Sequence, residues 1–151
     1  MAARILQREV ELSVRTRDYV PIRLRSRKAP FDDRAWLYEI KHDGFRGLAV
    51  IEEGRCQLFS RNHHRFQDFR SLEQAMGESV RTQSVVLDGE IVCFDVAGRA
   101  DFAALFFRRS TPLFLAFDLL TINGQDWRAK PLLERKRRLR RLIGRATGPV
   151  R

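Results

Sequence analysis

The stretch Val85-Val-Leu-Asp-Gly-Glu-Ile-Val-Cys-Phe-Asp95 decides the fold class of this 151-residue chain. Its side chains alternate with a period of two, which is typical of a β-strand. One face, from Val85 to Cys93, carries only apolar residues and glycine, whereas the other face also carries the carboxylates of Asp88 and Glu90. A strand with one core face and one partly polar face favours an antiparallel sheet.

Further strands and helices are predicted on both sides of this stretch. Apolar runs bounded by turn residues predict the strands, and apolar residues at helical spacing predict the helices. The predicted strands cover residues 36–41, 45–52, 56–60 and 112–121, and the predicted helices cover 66–76, 101–108 and 131–144. The sequence therefore predicts an α+β fold of antiparallel sheets with flanking helices.

The composition excludes several classes of protein. With 44% hydrophobic residues and eleven Phe, the chain does not have the composition of a disordered protein. No run of apolar residues is long enough to cross a membrane, and no secretory h-region follows Met1. Cys56 and Cys93 lie far apart in apolar runs, so we expect buried thiols of a cytoplasmic protein without a disulfide framework or a zinc site.

The net charge of +10 is concentrated at the two ends of the chain. Residues 1–34, a basic segment of uncertain fold, have a net charge of +4, residues 35–131 of −1, and residues 132–151 of +7. In the last predicted helix, Leu132, Leu139 and Ile143 form an apolar stripe. The opposite face carries Arg137, Arg138, Arg140 and Arg141. This face is either a solvated helix surface or a contact for nucleic-acid phosphates.

The stretch Lys41-His-Asp-Gly-Phe-Arg46 is the first candidate site for chemistry. A lysine at the end of an apolar run, before a turn, places an amine at the rim of a sheet. Next to a cation such as Arg46, a lysine amine can serve as a nucleophile. Gly44 would let the backbone approach a ligand closely. The alternative interpretation is an ordinary hairpin with an ion pair between Lys41 and Asp43.

Three other stretches add candidate groups. Asp88 and Glu90 share one strand face, as metal ligands or a general base would, although pairing with an arginine is the commoner outcome. Arg61 follows a strand, where a guanidinium can hold phosphate oxygens. Phe117 could stack on a base or belong to the core.

Taken together, these stretches resemble the adenylation domain of ATP-dependent DNA ligases. Residues 36–46 are similar to the nucleotidyl-lysine motif of that family, and three further motifs follow in the family's order: Ser60-Arg-Asn62, Leu87-Asp-Gly-Glu90 and Phe117-Asp-Leu119. The resemblance covers residues 30–143. It implies a partial ATP-grasp-like nucleotidyltransferase domain over residues 35–151, incomplete because the later motifs and the OB-fold domain are absent.

The resemblance also implies roles for individual residues. Lys41 would attack the α-phosphorus of ATP and accept AMP, with Asp43 helping to position it. Arg46 and Arg61 would contact the ribose and phosphates of ATP. Further contacts would come from Glu90 to the ribose or Mg²⁺, from Phe117 to the adenine ring, and from the backbone of Glu39 beside the adenine. Arg46 and the absence of a T-R-G-D-G stretch favour ATP over NAD.

The implied function is sealing of nicked double-stranded DNA in replication, repair and recombination, at the nucleoid if the protein is bacterial. We expect the chain alone to be weak or inactive as a ligase. Two alternatives stay open: an RNA ligase or capping-type enzyme, and a non-catalytic remnant that binds nucleic acid through its basic ends. The sequence does not indicate an oligomeric state.

Overall fold

A computed structural model describes residues 15–20, 28–144 and 148–151. A short 3₁₀ helix spans Thr16–Asp18. The strands are β1 (Phe45–Glu52), β2 (Arg55–Ser60), β3 (Ser84–Val92), β4 (Leu113–Ile122) and β5 (Gln125–Asp126), and the helices are α1 (Arg70–Ser79), α2 (Phe102–Phe106) and α3 (Leu132–Ile143).

The five strands form one sheet in the order β2-β1-β3-β4-β5, and every pair of neighbouring strands is antiparallel. The turn at Glu53-Gly54 joins β1 to β2, and both residues have positive φ. Asn123-Gly124 joins β4 to β5 in the same way. The predicted α+β class with an antiparallel sheet and flanking helices is confirmed.

The alternation that runs through β3 divides the sheet into two faces. Leu87, Ile91 and Cys93 belong to a core that also contains residues of α1, α2 and α3. Val86 belongs to a smaller apolar cluster on the opposite face, against which Tyr19 packs. Part of the basic segment before residue 35 therefore lies on the sheet, on the face that carries Asp88 and Glu90.

The exposed edge of β2 is covered by side chains of α1 and of the loop before it. The Leu58 amide donates to the buried Glu73 carboxylate at 2.8 Å, and Arg65 pairs with the other oxygen of that group at 3.4 Å. These contacts satisfy an edge group that would otherwise be open to another strand.

Some predicted boundaries were wrong. Residues 36–41 do not form a strand: within the described part of the chain no strand pairs with them, and Ile40 is 80% exposed. The helix predicted from residue 66 begins only at Arg70, because Phe66 donates its amide to Leu58 of β2. Leu132 does not share the buried stripe of Leu139, since it lies in the exposed first turn of α3.

The structure also bears on the two cysteines and on membrane insertion. Cys56 and Cys93 are both free and buried, as predicted, and burial raises the pKa of each thiol. In the part of the chain that the structure describes, no helix has the length and apolar character needed to span a bilayer.

Candidate active site

Four strands bring the motif residues to one end of the sheet. Arg46 of β1 lies opposite Glu90 of β3, and Ser60, the last residue of β2, is also paired with β1. On the other side of β3, Asp88 lies opposite Asp118 of β4. Because neighbouring strands are antiparallel, the start of β1, the end of β2, the second half of β3 and the middle of β4 meet here.

A bulge in β4 sets the position of Phe117. Gly89 pairs with Ala116, and the residue before Gly89 pairs with Asp118, so Phe117 is an extra residue without a partner on β3. A bulge of this kind redirects a side chain from the regular alternation. The Phe117 ring lies half-buried beneath Arg46, whose guanidinium carbon is 4.3 Å from the ring centre.

Arg46 is held by a bidentate ion pair. Its Nε donates to Oδ1 of Asp88 and its Nη2 donates to Oδ2, both at 2.7 Å. Burial acts to lower the pKa of Arg46, but the hydrogen bonds and charge of Asp88 outweigh it, and the pKa is raised. The guanidinium is therefore a fixed positive charge with its plane against an aromatic ring.

The two carboxylates on this face are costly to ionise. Burial raises the pKa of Asp88, and the contacts with Arg46 oppose that rise only in part. Burial also raises the pKa of Glu90, against the opposing charges of Arg46 and Lys41. A cation brought to Glu90 would stabilise its ionised form.

Lys41 and Asp43 lie at the rim of this cluster, and both side chains are exposed. Among the described residues they form no ion pair with each other, so the alternative of a salt-bridged hairpin is wrong. Lys41 and Asp43 both act electrostatically on Glu90, which places the lysine amine beside the cluster. Gly44 makes room for the Ile91 carbonyl, because an added Cβ would lie 2.2 Å from that oxygen.

Arg61 projects from the loop that follows β2. The Ser60 hydroxyl accepts the amides of Asn62 and His64, each at 3.3 Å, and the His64 carbonyl accepts the Ser60 amide at 2.8 Å. These bonds shape a tight loop with the Arg61 side chain exposed at the same end of the sheet as Arg46.

Two basic residues of α3 belong to the cluster and were missed by sequence reasoning. Arg135 donates from Nε and Nη2 to the carboxylate of Asp118 at 2.8 and 2.9 Å, and these bonds raise its pKa. Lys136 donates to the Glu39 carboxylate and to the Phe117 carbonyl. The sequence signal was their spacing of four and three residues before the buried Leu139, which places them near its face of α3.

The remaining arginines of α3 lie away from this cluster. Arg137, Arg140 and Arg141 are exposed, and Arg138 is half-buried. The helix therefore directs Arg135 and Lys136 toward the site and presents most of its later cations to solvent.

The residues present could supply one carboxylate ligand, Glu90, to a magnesium ion. Nowhere in residues 15–20, 28–144 and 148–151 do three metal-ligating side chains form a cluster. Mg²⁺ commonly binds through one or two carboxylates and completes its shell with water and substrate phosphates. Glu90 is half-buried beside Lys41, and an added cation would favour its ionised form. It therefore suits that kind of site.

Comparison with known proteins identifies sequences and structures that are similar to this chain. Residues 24–151 match the sequence profile of the ATP dependent DNA ligase domain. The chain is 39% identical over 123 residues to the multifunctional non-homologous end joining protein LigD of Pseudomonas aeruginosa. That alignment covers 77% of this chain and 14% of LigD, so the chain spans about a seventh of the relative's length.

Two solved structures share the fold. The ligase domain of Mycobacterium tuberculosis LigD superposes with a TM-score of 0.62 at 30% identity, covering 68% of this chain and 34% of that one. Mycobacterial DNA ligase D complexed with ATP and MES gives a TM-score of 0.58 at 29% identity, covering 69% of this chain and 35% of that one.

Proposed function

The chain belongs to the family of ATP-dependent DNA ligase domains, and we propose that its site transfers AMP from ATP to Lys41. One observation carries the proposal: the lysine amine lies at the rim of a sheet end where Arg46, Glu90 and Phe117 meet. This arrangement offers a nucleophile, cations for phosphate oxygens and an aromatic face for a base. The mycobacterial relative complexed with ATP supports ATP as the nucleotide.

Lys41 is the nucleophile in this step. The lone pair of its unprotonated amine attacks the α-phosphorus of ATP, and a nitrogen–phosphorus bond forms as the bond from that phosphorus to the bridging oxygen breaks. Pyrophosphate leaves with the electron pair of the broken bond, and the attacking nitrogen releases one of its two protons to solvent. The product is a phosphoramidate between Lys41 and AMP.

The neighbouring residues hold the nucleotide and offset developing negative charge. Arg46 and Arg61 contact the ribose and phosphates from β1 and from the loop after β2. Phe117 stacks on the adenine, and Glu39 lies beside the same ring through its backbone.

Asp43 positions Lys41 from the turn before β1, two residues along the chain. Glu90 contacts the ribose or Mg²⁺, and a bound Mg²⁺ would neutralise charge on the phosphates as pyrophosphate leaves.

Lys41 labelling tests the proposal directly. The chain is incubated with α-³²P-ATP and Mg²⁺, and the labelled residue is mapped by peptide analysis. We expect label on Lys41 in the wild type, none in Lys41→Arg, and unchanged labelling in Lys130→Met, which changes an exposed lysine. Label on another residue, or neither binding of ATP nor label, would contradict the assignment.

The wider role proposed for the site is in joining DNA. In a complete ligase, AMP on Lys41 passes to a 5′-phosphate of nicked double-stranded DNA and is displaced by the 3′-hydroxyl. The non-homologous end joining function in the name of the Pseudomonas relative supports DNA repair as the setting, in the cytoplasm at the nucleoid. The exposed arginines of α3 provide a surface for the DNA backbone.

The salt dependence of DNA binding tests whether these arginines contact DNA. Each phosphate contact contributes a slope of about −0.9 to the plot of log binding constant against log salt concentration. Changing Arg137, Arg138, Arg140 and Arg141 to Gln should therefore reduce the slope by about 3–4. An unchanged slope would place the DNA contact elsewhere.

A further inference from the structure

Lys41 lies in a stretch that receives little support from regular structure. Residues 37–43 form neither helix nor strand. After Lys41, the chain is fixed to the sheet through His42, whose ring packs edge-on against Phe94 with centres 5.6 Å apart. Before Lys41, the preceding loop is bonded mainly to itself, since Tyr38 accepts the amide of Asp33 at 2.8 Å.

The contact that ties this stretch to the rest of the site comes from α3. Lys136 donates to the carboxylate of Glu39, two residues before Lys41, and the same amine donates to the carbonyl of Phe117. The Lys136 side chain is only 20% exposed, so its stem is packed and its amine has few other positions. One amine thus joins the stretch that carries the nucleophile to the residue proposed to hold the base.

The helix that carries Lys136 is itself fixed against β4. Arg135, the residue before it, pairs with both oxygens of Asp118, and its Nη1 donates to the Lys130 carbonyl at 2.6 Å. Asp118 follows Phe117 directly in β4. The first turn of α3 is therefore held at the point from which Lys136 reaches its two acceptors.

We propose that Lys136 is a positioning residue for Lys41: it sets the distance between the lysine nucleophile and the Phe117 ring. This inference rests on the function proposed above. ATP held by its base on Phe117 must present its α-phosphorus to the Lys41 amine. A misplacement of about 1 Å can slow a positioned reaction by up to about 100-fold. Lys136 therefore acts on the rate of nucleotidyl transfer more than on ATP binding.

The test compares Lys136→Met, Lys136→Arg and Glu39→Ala with the wild type and with Lys130→Met, a matched lysine control at an exposed position. The rate constant for labelling of Lys41 is measured as a function of ATP concentration, and Tm is recorded for every variant. We expect Lys136→Met to lower the rate constant at saturating ATP by about tenfold. The ATP concentration for half-maximal rate should change less than threefold.

Two further readouts separate positioning from a structural role. Lys136→Arg, which keeps a cationic donor, should recover most of the rate. Lys136→Met combined with Glu39→Ala should be no slower than Lys136→Met alone, because both changes break the same contact. If Lys136→Met fails to fold, Glu39→Ala removes the acceptor from the exposed side of the contact and should show the same loss of maximal rate.

Three results would overturn the inference: a wild-type rate in Lys136→Met, a rise in half-saturating ATP without loss of maximal rate, or failure of Lys136→Arg to recover rate at an unchanged Tm. Absence of label on Lys41 in the wild type would instead overturn the proposed function, so the two failures are distinguishable.

Discussion

Replacing Arg46 with methionine removes both hydrogen bonds that the Asp88 carboxylate receives from that side chain. Asp88 is 1% exposed, so water cannot take the place of the guanidinium. Breaking a buried ion pair from one side costs about 3–5 kcal/mol, a large share of the 5–15 kcal/mol or so that stabilises a domain. For a chain of this length, the expected fall in Tm is about 6–20 °C.

Changing the other partner of this ion pair should lower the free energy of unfolding by less. In Asp88→Asn the arginine that loses its partner is 20% exposed and can turn to water. Arg99→Met serves as the control, because it removes an ion pair with Asp95 whose arginine is 81% exposed. Exposed pairs of this kind contribute less than about 1 kcal/mol.

The loss in Arg46→Met should depend on pH. Burial raises the pKa of Asp88, the charge of Asp118 adds to that rise, and Arg46 opposes it. Without Arg46, the pKa of Asp88 in the folded state lies further above its value in the unfolded chain. The folded variant therefore gains stability relative to the wild type as pH falls toward this raised pKa and the carboxylate takes up a proton.

Urea unfolding at pH 5, 7 and 8, followed by circular dichroism, measures these differences in the free energy of unfolding. The reasoning is refuted if Arg46→Met is no less stable than Asp88→Asn at pH 7. A deficit of the same size at all three pH values would equally show that Asp88 does not depend on this guanidinium.

Two further changes probe β3, one on each of its faces. Glu90→Gln should raise the Tm of the nucleotide-free chain at pH 7, because burial of the carboxylate outweighs its favourable charges. A lower Tm would contradict this balance. Gly89→Ala should destabilise the fold by about 1–3 kcal/mol, since an added Cβ would lie 2.4 Å from the Leu115 carbonyl. Gly148→Ala, where an added Cβ meets nothing within 4 Å, is its control, and equal urea midpoints for the two variants would refute the steric argument.

The parts of the fold that depend on local pattern were predictable from sequence. The alternation in β3 predicted which residues face the core, because a strand exposes successive side chains to opposite sides whatever its neighbours are. The same pattern placed Asp88 and Glu90 together. Burial in apolar runs also identified Cys56 and Cys93 as thiols within the core.

Features that depend on distant partners were not predictable in this way. An apolar run such as residues 36–41 becomes a strand only where another strand offers hydrogen bonds, and none does so here. The inward direction of Lys136 follows from the rotation of α3 against β4, which charge pattern does not encode. Several arginines could have paired with Asp88. That Arg46 is the one depends on the register of β1 against β3.

The bulge at Phe117 combines both kinds of information. Its aromatic residue was visible in the sequence, but the interruption in pairing depends on how β4 meets Gly89 of β3. Ala116 packs against the core, so alternation places Phe117 on the opposite face, beneath Arg46, and the bulge leaves it there without a partner on β3.

The last described residues of the chain lie beside β4. Val150 bridges in parallel to Phe114, and the Arg151 carbonyl accepts the Ala116 amide at 2.7 Å. Because the pairing is parallel, a residue joined after Arg151 enters next to Phe117, where Lys136 now reaches the backbone. A fluorophore attached to Arg151→Cys would therefore lie close to Phe117, and its emission should change when a nucleotide binds there.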